Sequence, residues 1–122
     1  MSSRRFPIRY STPGRLMGLL GLGPSRSFVE ISAERVVVQM SWGFHLSAPR
    51  TAVTGADIDP RPALSRGVHG WRGRWLVNGA GAPFAVIHLD PPQRAHVCGV
   101  PVNVTDVAVS VDDPGRVVDA LA

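Results

Sequence analysis

Hydrophobic and polar residues alternate along much of the chain from Ser27 onward, as they do in strands that have one buried and one solvent-facing side. The runs Phe28–Ser32 and Arg35–Met40 both alternate, and Ala33-Glu34 lies between them. This arrangement predicts a β-hairpin. Two further short strands are predicted downstream, at residues 44–48 and 51–58.

A second hairpin is predicted in the latter half of the chain. Its strands are Trp71–Asn78 and Pro83–Asp90, joined by the glycine-rich turn at 79–81. Pro91-Pro92 is expected to end the second of these strands, because proline cannot donate a hydrogen bond to a ladder. A final strand is predicted at Val102–Val111. Its apolar positions change phase, which indicates a β-bulge or bend near Thr105-Asp106.

The C-terminus has the signals of a short helix. Asp112-Asp113-Pro114 offers an aspartate cap and a proline for the first turn, and Val117, Val118 and Leu121 form an apolar stripe. We therefore predict a mainly-β fold, a small barrel or sandwich of about seven antiparallel strands with a C-terminal capping α-helix. This domain is expected to span residues 27–122, and residues 1–26 form a basic extension rich in glycine and proline.

The length of the chain limits it to a single core. With 122 residues, of which 44% are hydrophobic, a chain buries enough surface to fold without disulfides or metals. Cys98 is the only cysteine, so no intrachain disulfide can form, which fits a reducing compartment. No apolar run reaches the roughly 18 residues of a spanning helix. The sequence therefore favours a cytoplasmic protein.

Positive charge is concentrated at the N-terminus. Residues 1–26 hold five arginines and no acid, whereas the remainder has eight arginines against nine acids. A nucleic-acid-binding domain needs a basic body, so no nucleic-acid partner is expected. The start Ser3-Arg4-Arg5-Phe6 is similar to a twin-arginine export signal, but the apolar stretch at 16–22 is short and no A-x-A cleavage site follows. Export is not expected.

Two segments carry a resemblance to a known fold. The run Gly67–Gly79 and the tail Val109–Pro114, together with the order of strands and terminal helix, resemble small actinobacterial proteins with a pleckstrin-homology-like (PH-like) barrel. The resemblance covers residues 27–122. It implies a docking module for proteins or lipids without an assigned activity. The first hairpin loop, Ser32–Arg35, has one acid and one base, so it departs from the basic pattern that binds phosphoinositides.

Aromatic and basic residues interleave in Trp71-Arg72-Gly73-Arg74-Trp75. If this run is one strand, its tryptophans face the core and its arginines face solvent. Arg72 and Arg74 would then form a two-arginine site for an anion or a partner, with His69 nearby. These three residues are our candidates on the folded domain.

Metal and catalytic chemistry find little support in the sequence. Among the four histidines, His96 lies two residues before Cys98, but no second ligand pair accompanies them, so neither a metal nor a cofactor is expected. Cys98 stands among apolar residues and is interpreted as a small buried side chain. No acid, base and nucleophile come together, so the chain is not expected to be an enzyme.

The segment Arg15–Leu22 is apolar without following a strand pattern. It is expected to pack across the barrel, to lie on an anionic membrane surface, or to contact a partner or a second copy of the chain. Its candidate contact residues are Leu16, Leu19 and Leu20.

The leading hypothesis from the sequence is a non-enzymatic binding module, with protein docking as its expected role. One alternative is peripheral association with the inner membrane face through residues 1–26. Another is a small barrel enzyme or cofactor binder whose site lies between two subunits.

Overall fold

The computed structural model describes residues 4–8, 27–40, 43–59, 67–71, 73–78 and 83–122. These residues form nine strands, a short 3₁₀ turn at Arg50–Ala52 and one C-terminal helix, α1 (Pro114–Leu121). The strands are β1 (Arg4–Pro7), β2 (Ser27–Ile31), β3 (Arg35–Met40), β4 (Phe44–Pro49), β5 (Val53–Asp59), β6 (Gly67–Trp71), β7 (Arg74–Asn78), β8 (Phe84–Val97) and β9 (Val100–Ser110).

The strands make one curled half-barrel sheet. Their order is β1-β2-β3-β4-β8-β9-β7-β6, and β5 pairs with β8 beside this path. Every pairing is antiparallel except that of β7 with β9, which is parallel. The prediction of a mainly-β domain with a terminal helix is confirmed. Residues 4–8 of the N-terminal segment belong to this sheet, through β1 and the bridge from Ile8 to Val111.

The core lies inside the curl and follows from the alternation in the sequence. In β2, β3 and β4 every second side chain is buried, as the pattern predicts. The largest fully buried side chains are Phe44, Ile8, Met40, Leu46, Ile87, Val29, Val36, Val38, Val77, Val104, Val107 and Val109. The predicted hairpin of β2 and β3 is confirmed by their antiparallel register.

The long strand β8 departs from the prediction that Pro91-Pro92 ends it. It continues to Val97, with β5 beside its first half, β4 beside its last residues and β9 on its other side. The prolines are tolerated because they lie within the register shift between His88 and Gln93. Residues 89–92 have no register partner on β9, so the missing amide hydrogens of the prolines leave no ladder hydrogen bond unmade there. The irregularity predicted near Thr105-Asp106 is confirmed, although the extra residues are in β8.

The predicted hairpin of Trp71–Asn78 with Pro83–Asp90 is wrong. β7 pairs with β6 on one side and with β9 on the other. The reason is Gly73, whose φ of +84° allows a tight turn where a continuous strand was expected. Trp71 is therefore the register partner of Arg74, and it does not precede Arg74 on one strand. Arg72 lies outside the described residues.

The terminal helix forms as predicted. Pro114 occupies its first turn, and the Asp113 carboxylate accepts a hydrogen bond from the Arg116 amide at 3.4 Å. Val117 is buried in the core cluster, and the helix contacts β5 and β8. No helix in the described part of the chain is long and apolar enough to cross a membrane.

Gly73 is expected to tolerate alanine less well than Gly99 does. A Cβ there would lie 3.1 Å from Thr105 Oγ1, whereas Gly99, with a similar φ of +82°, has nothing within 4 Å. Both substitutions place a side chain in the left-handed region, which costs about 1–2 kcal/mol. Gly73→Ala must also displace Thr105, so urea unfolding should show a larger loss of stability than for Gly99→Ala. An equal loss would contradict this account of the turn.

Candidate functional site

An open groove runs across the outer face of the sheet, on the side opposite the core. It spans β5, β8, β9 and β7 and has a cavity volume of about 490 Å³. We call it the outer groove. Its lining residues are Asp57, Ile58, Asp59, Arg74, Trp75, Leu76, Val86, His88, Asp106 and Ala108.

Strand register brings these residues together from distant parts of the sequence. Partners on neighbouring strands share one face of a sheet, so successive partners form rows across it. One row is Gly55, His88, Asp106 and Arg74; the next is Asp57, Val86, Ala108 and Leu76. The first row supplies His88, Asp106 and Arg74, and the second supplies Asp57 together with most of the apolar surface of the outer groove.

The apolar row is unusual for an outer face. An antiparallel sheet with one buried face has polar residues on the other. Here Leu76, Val86 and Ala108 lie next to one another across three strands, and each is only half-buried. These three side chains, which we call the apolar floor, therefore offer hydrocarbon surface to a ligand.

His88 links three strands at the polar end of the outer groove. Its Nδ1 is hydrogen bonded to the Asp106 carboxylate on β9, and its Nε2 lies 2.7 Å from Asp57 Oδ2 on β5. The hydrogen bond to Asp106 raises the pKa of His88 above its ordinary value of 6.5; burial opposes this rise, and the bond to Asp57 adds to it. The imidazolium form therefore persists to higher pH than in a free histidine.

Asp106 is fixed more firmly than the other carboxylate partner of His88. Its amide donates to the Gly73 carbonyl at 3.2 Å, and the Thr105 hydroxyl lies 3.1 Å from its Oδ2. Arg74 is near the same oxygen, with its Nε at 3.7 Å. The side chains of Asp57 and Arg74 are 74% and 82% exposed, so these two groups can reach a ligand without being uncovered first.

Both ring nitrogens of His88 are engaged by carboxylates. The two carboxylates meet the imidazole at opposite nitrogens, so they cannot share one metal ion with it. Across the described residues, no group of three or more His, Cys, Asp or Glu is arranged to hold a metal. Among the described residues that line the outer groove, none carries a hydroxyl or thiol that could act as a nucleophile.

The structure brings one sequence-predicted candidate into this site. Arg74 lines the outer groove, and His69 lies on β6 as the register partner of Leu76, which also lines it. The other candidates lie outside the described residues: Arg72, Leu16, Leu19 and Leu20.

Sequence reasoning missed His88, Asp57 and Asp106 as a group. The only signal was Asp106, a charged residue at a position where the alternation called for an apolar one. Its partners are far away in the sequence and are joined to it only by the register of β5, β8 and β9. Single-sequence alternation does not define that register.

The interpretation of Cys98 as a buried side chain is wrong. It is exposed in the turn between β8 and β9, with a φ of +49°. Gly99 follows at +82°, and two successive residues with positive φ make the tight turn of a hairpin. A residue at the tip of such a turn projects away from the core.

No protein-family model, no curated protein and no solved structure matches this chain. A functional conclusion therefore rests on the geometry of the described residues and on their charges. The outer groove combines an apolar floor with acidic and basic side chains in one cavity of about 490 Å³. Such a combination is typical of binding sites.

The raised pKa of His88 predicts a pH-dependent contribution to stability. Because the folded-state pKa lies above the unfolded one, this contribution is fully present below about pH 6.5 and is lost as the pH rises through the folded-state value. The free energy of unfolding of the native chain should therefore exceed that of His88→Gln most at mildly acidic pH. Urea titrations from mildly acidic to alkaline pH measure this difference.

Two carboxylate variants and one histidine variant serve as controls. Asp106→Asn should lower the NMR-measured pKa of His88 more than Asp57→Asn does, because the Asp106 bond is the larger cause of the rise. His96→Gln replaces an exposed histidine outside the outer groove, and the NMR-measured pKa of His88 should be the same in this variant as in the native chain. A difference between native chain and His88→Gln that grows with pH would contradict the assignment.

Proposed function

We propose that this chain is a non-enzymatic docking module that binds a basic segment of a partner protein in the outer groove. The observation that carries the proposal is the juxtaposition, on one sheet face, of the apolar floor with carboxylates from β5 and β9. An extended segment with alternating apolar and basic side chains matches both features.

The apolar floor supplies the part of the binding free energy that does not depend on charge. Covering hydrocarbon surface is worth about 25 cal/mol for each Å² removed from water. Leu76, Val86 and Ala108 are contiguous, so one or two apolar side chains of a partner can cover them together.

Charge determines which kind of segment fits. Three carboxylates line the outer groove, those of Asp57, Asp59 and Asp106, against the guanidinium of Arg74 and the imidazole of His88. Negative charge is in excess whether or not His88 is protonated. A carboxylate offers about four acceptor sites, so Asp57 can keep its bond to His88 while it accepts from an arginine or lysine of the partner.

The outer groove is built on paired strands, which favours binding. Its residues project from four strands joined by continuous backbone pairing, and His88 ties Asp57 to Asp106 across β8. A site that is held in place before the ligand arrives loses less conformational entropy on binding.

The fold supports the same role. A curled sheet with one C-terminal helix is the coarse architecture of a PH-like barrel, and we propose that the chain is a member of that class, as the resemblance of Gly67–Gly79 implies. Modules of this kind frequently dock proteins. An exposed free thiol at Cys98 supports a cytoplasmic location, because a reducing compartment keeps such a thiol free.

Labelled peptides test the docking proposal. A peptide that alternates arginine with leucine should bind, one that alternates glutamate with leucine should not, and one that alternates arginine with serine should bind more weakly. Asp57→Asn should lower the affinity for the arginine–leucine peptide about tenfold, because it removes one charge-assisted hydrogen bond. Fluorescence polarisation at two salt concentrations gives the affinities.

Asp119→Asn is the matched control for that charge change. Asp119 is exposed on α1 and does not line the outer groove, so this variant should bind like the native chain. Leu76→Ala should lower the affinity for the arginine–leucine peptide more than the affinity for the arginine–serine peptide. Equal binding of the acidic peptide, or no effect of Asp57→Asn, would rule out the proposal.

Membrane association is a second candidate, favoured by one contact at the base of the N-terminal segment. The Ile8 amide donates to the Ser27 carbonyl at 3.1 Å, so the two described residues that flank this segment meet at one place on the sheet. This segment carries arginines that would each add roughly 1 kcal/mol near an anionic surface, and its apolar residues include Leu16, Leu19 and Leu20.

Sedimentation with vesicles checks this alternative. If the segment binds membranes, the full chain should pellet with phosphatidylglycerol vesicles but not with phosphatidylcholine vesicles, and salt should release it. Replacing Leu16, Leu19 and Leu20 by serine should abolish pelleting, whereas Asp57→Asn should not affect it. A chain that stays in the supernatant with both vesicle types would contradict membrane association.

A further inference from the structure

A second group of polar side chains lies on the outer face, at the end of β8 remote from the outer groove. His45 on β4 is the register partner of His96 on β8, and Gln39 on β3 is the register partner of His45. Both histidines are exposed. The two imidazoles come from positions far apart in the sequence, and only the pairing of β4 with β8 makes them neighbours.

Register partners in an antiparallel pair hold their side chains close together. Their Cβ atoms are about 4.5–5.5 Å apart. Metal–imidazole bonds are about 2.0–2.1 Å long. Two histidines in this relation can therefore approach one ion from neighbouring strands while the backbone stays in place.

The hydrogen bond between Gln39 and His45 prepares one of the two rings. The Gln39 amide oxygen is the partner of His45 Nδ1. An amide oxygen only accepts, so Nδ1 is the donor in this bond, and Nε2 is the ring nitrogen that remains for a metal ion. Histidines that bind metals commonly have this arrangement, in which the nitrogen away from the metal donates to a fixed acceptor.

The residues that continue the row on either side of the pair are uncharged, and on the Phe28 side the Arg5 guanidinium lies 4.1 Å from the centre of the Phe28 ring. Beyond Gln39 the row continues to Phe28 on β2, and beyond His96 it continues to Pro101 on β9. Neither residue titrates or forms an ion pair. In the described part of the chain, a histidine contacts carboxylates in the outer groove, where His88 meets Asp57 and Asp106.

We propose that His45 and His96 bind a divalent first-row transition metal ion, with Gln39 orienting His45 from behind. Imidazole nitrogen is a preferred donor for zinc, copper and nickel. Over the part of the chain that the structure describes, no group of three or more His, Cys, Asp or Glu is arranged around one point. The site therefore has two protein ligands and leaves coordination positions for water or for a donor from another molecule.

This site is independent of the docking groove. Its residues lie on β3, β4 and the last residues of β8, whereas the outer groove uses β5, β7, β9 and the first half of β8. It also changes the picture from the sequence, in which His96 was paired with Cys98 and no second ligand pair accompanied them. On the folded sheet the partner of His96 is His45.

Zinc titration of the full chain, stripped with a chelator, tests the proposal. Calorimetry should show saturable binding of one Zn²⁺ per chain. His45→Ala and His96→Ala should each abolish it, and Gln39→Ala should weaken it by about 10–100-fold, as the loss of an orienting partner does. Cys98→Ser is the control for a thiol ligand and should bind like the native chain.

A second measurement locates the ion and does not depend on variants. Substoichiometric Cu²⁺ should broaden the NMR signals of His45 and His96 before those of His88. Both histidines are exposed, so their alanine variants should unfold in metal-free urea as the native chain does. Absence of saturable zinc binding, binding that survives both substitutions, or broadening that begins at His88 would overturn the proposal.

Discussion

The pairing of β8 with three other strands is the constraint on which the rest of the structure depends. Its first half is bordered by β5 and its last residues by β4, while β9 follows it on the other side. β4 and β5 share one edge of β8 because they border different residues of it, and the register of β8 with β9 on the other edge shifts between His88 and Gln93. The curl of the sheet, the enclosed core and both candidate sites are arranged around this strand.

Each half of β8 carries one histidine that meets polar groups from neighbouring strands. His88 in the first half is held between two carboxylates and forms the polar end of the outer groove. His96 in the second half faces His45, whose ring is oriented by Gln39. The outer face therefore has the acidic outer groove at one end and a pair of imidazoles at the other. Under the two proposals, a partner would contact the chain at both of these places.

The sequence predicts elements that depend on local chemistry. It does not predict which strands pair, or which residues the register of that pairing brings together. The hairpin of β2 and β3, the phase change near Asp106 and the capped helix after Asp113 are confirmed, because alternation and capping are local signals. The partner of β7 was wrong, since one positive φ at Gly73 redirects the chain. Arg74 was found as a candidate from its sequence neighbours, but His88 and its carboxylates are joined only by strand pairing.

Native-state hydrogen exchange tests most directly whether β8 builds the outer groove before any ligand arrives. If β5 is an integral wall of the groove, its amides that pair with β8 should open together with those of Phe84–Leu89, at a similar free energy. That result would support a preformed site. If β5 amides exchange near the unprotected rate while β8 and β9 stay protected, β5 is only loosely attached. Asp57 would then not be held beside His88, and the account of a preorganised acidic groove would be contradicted.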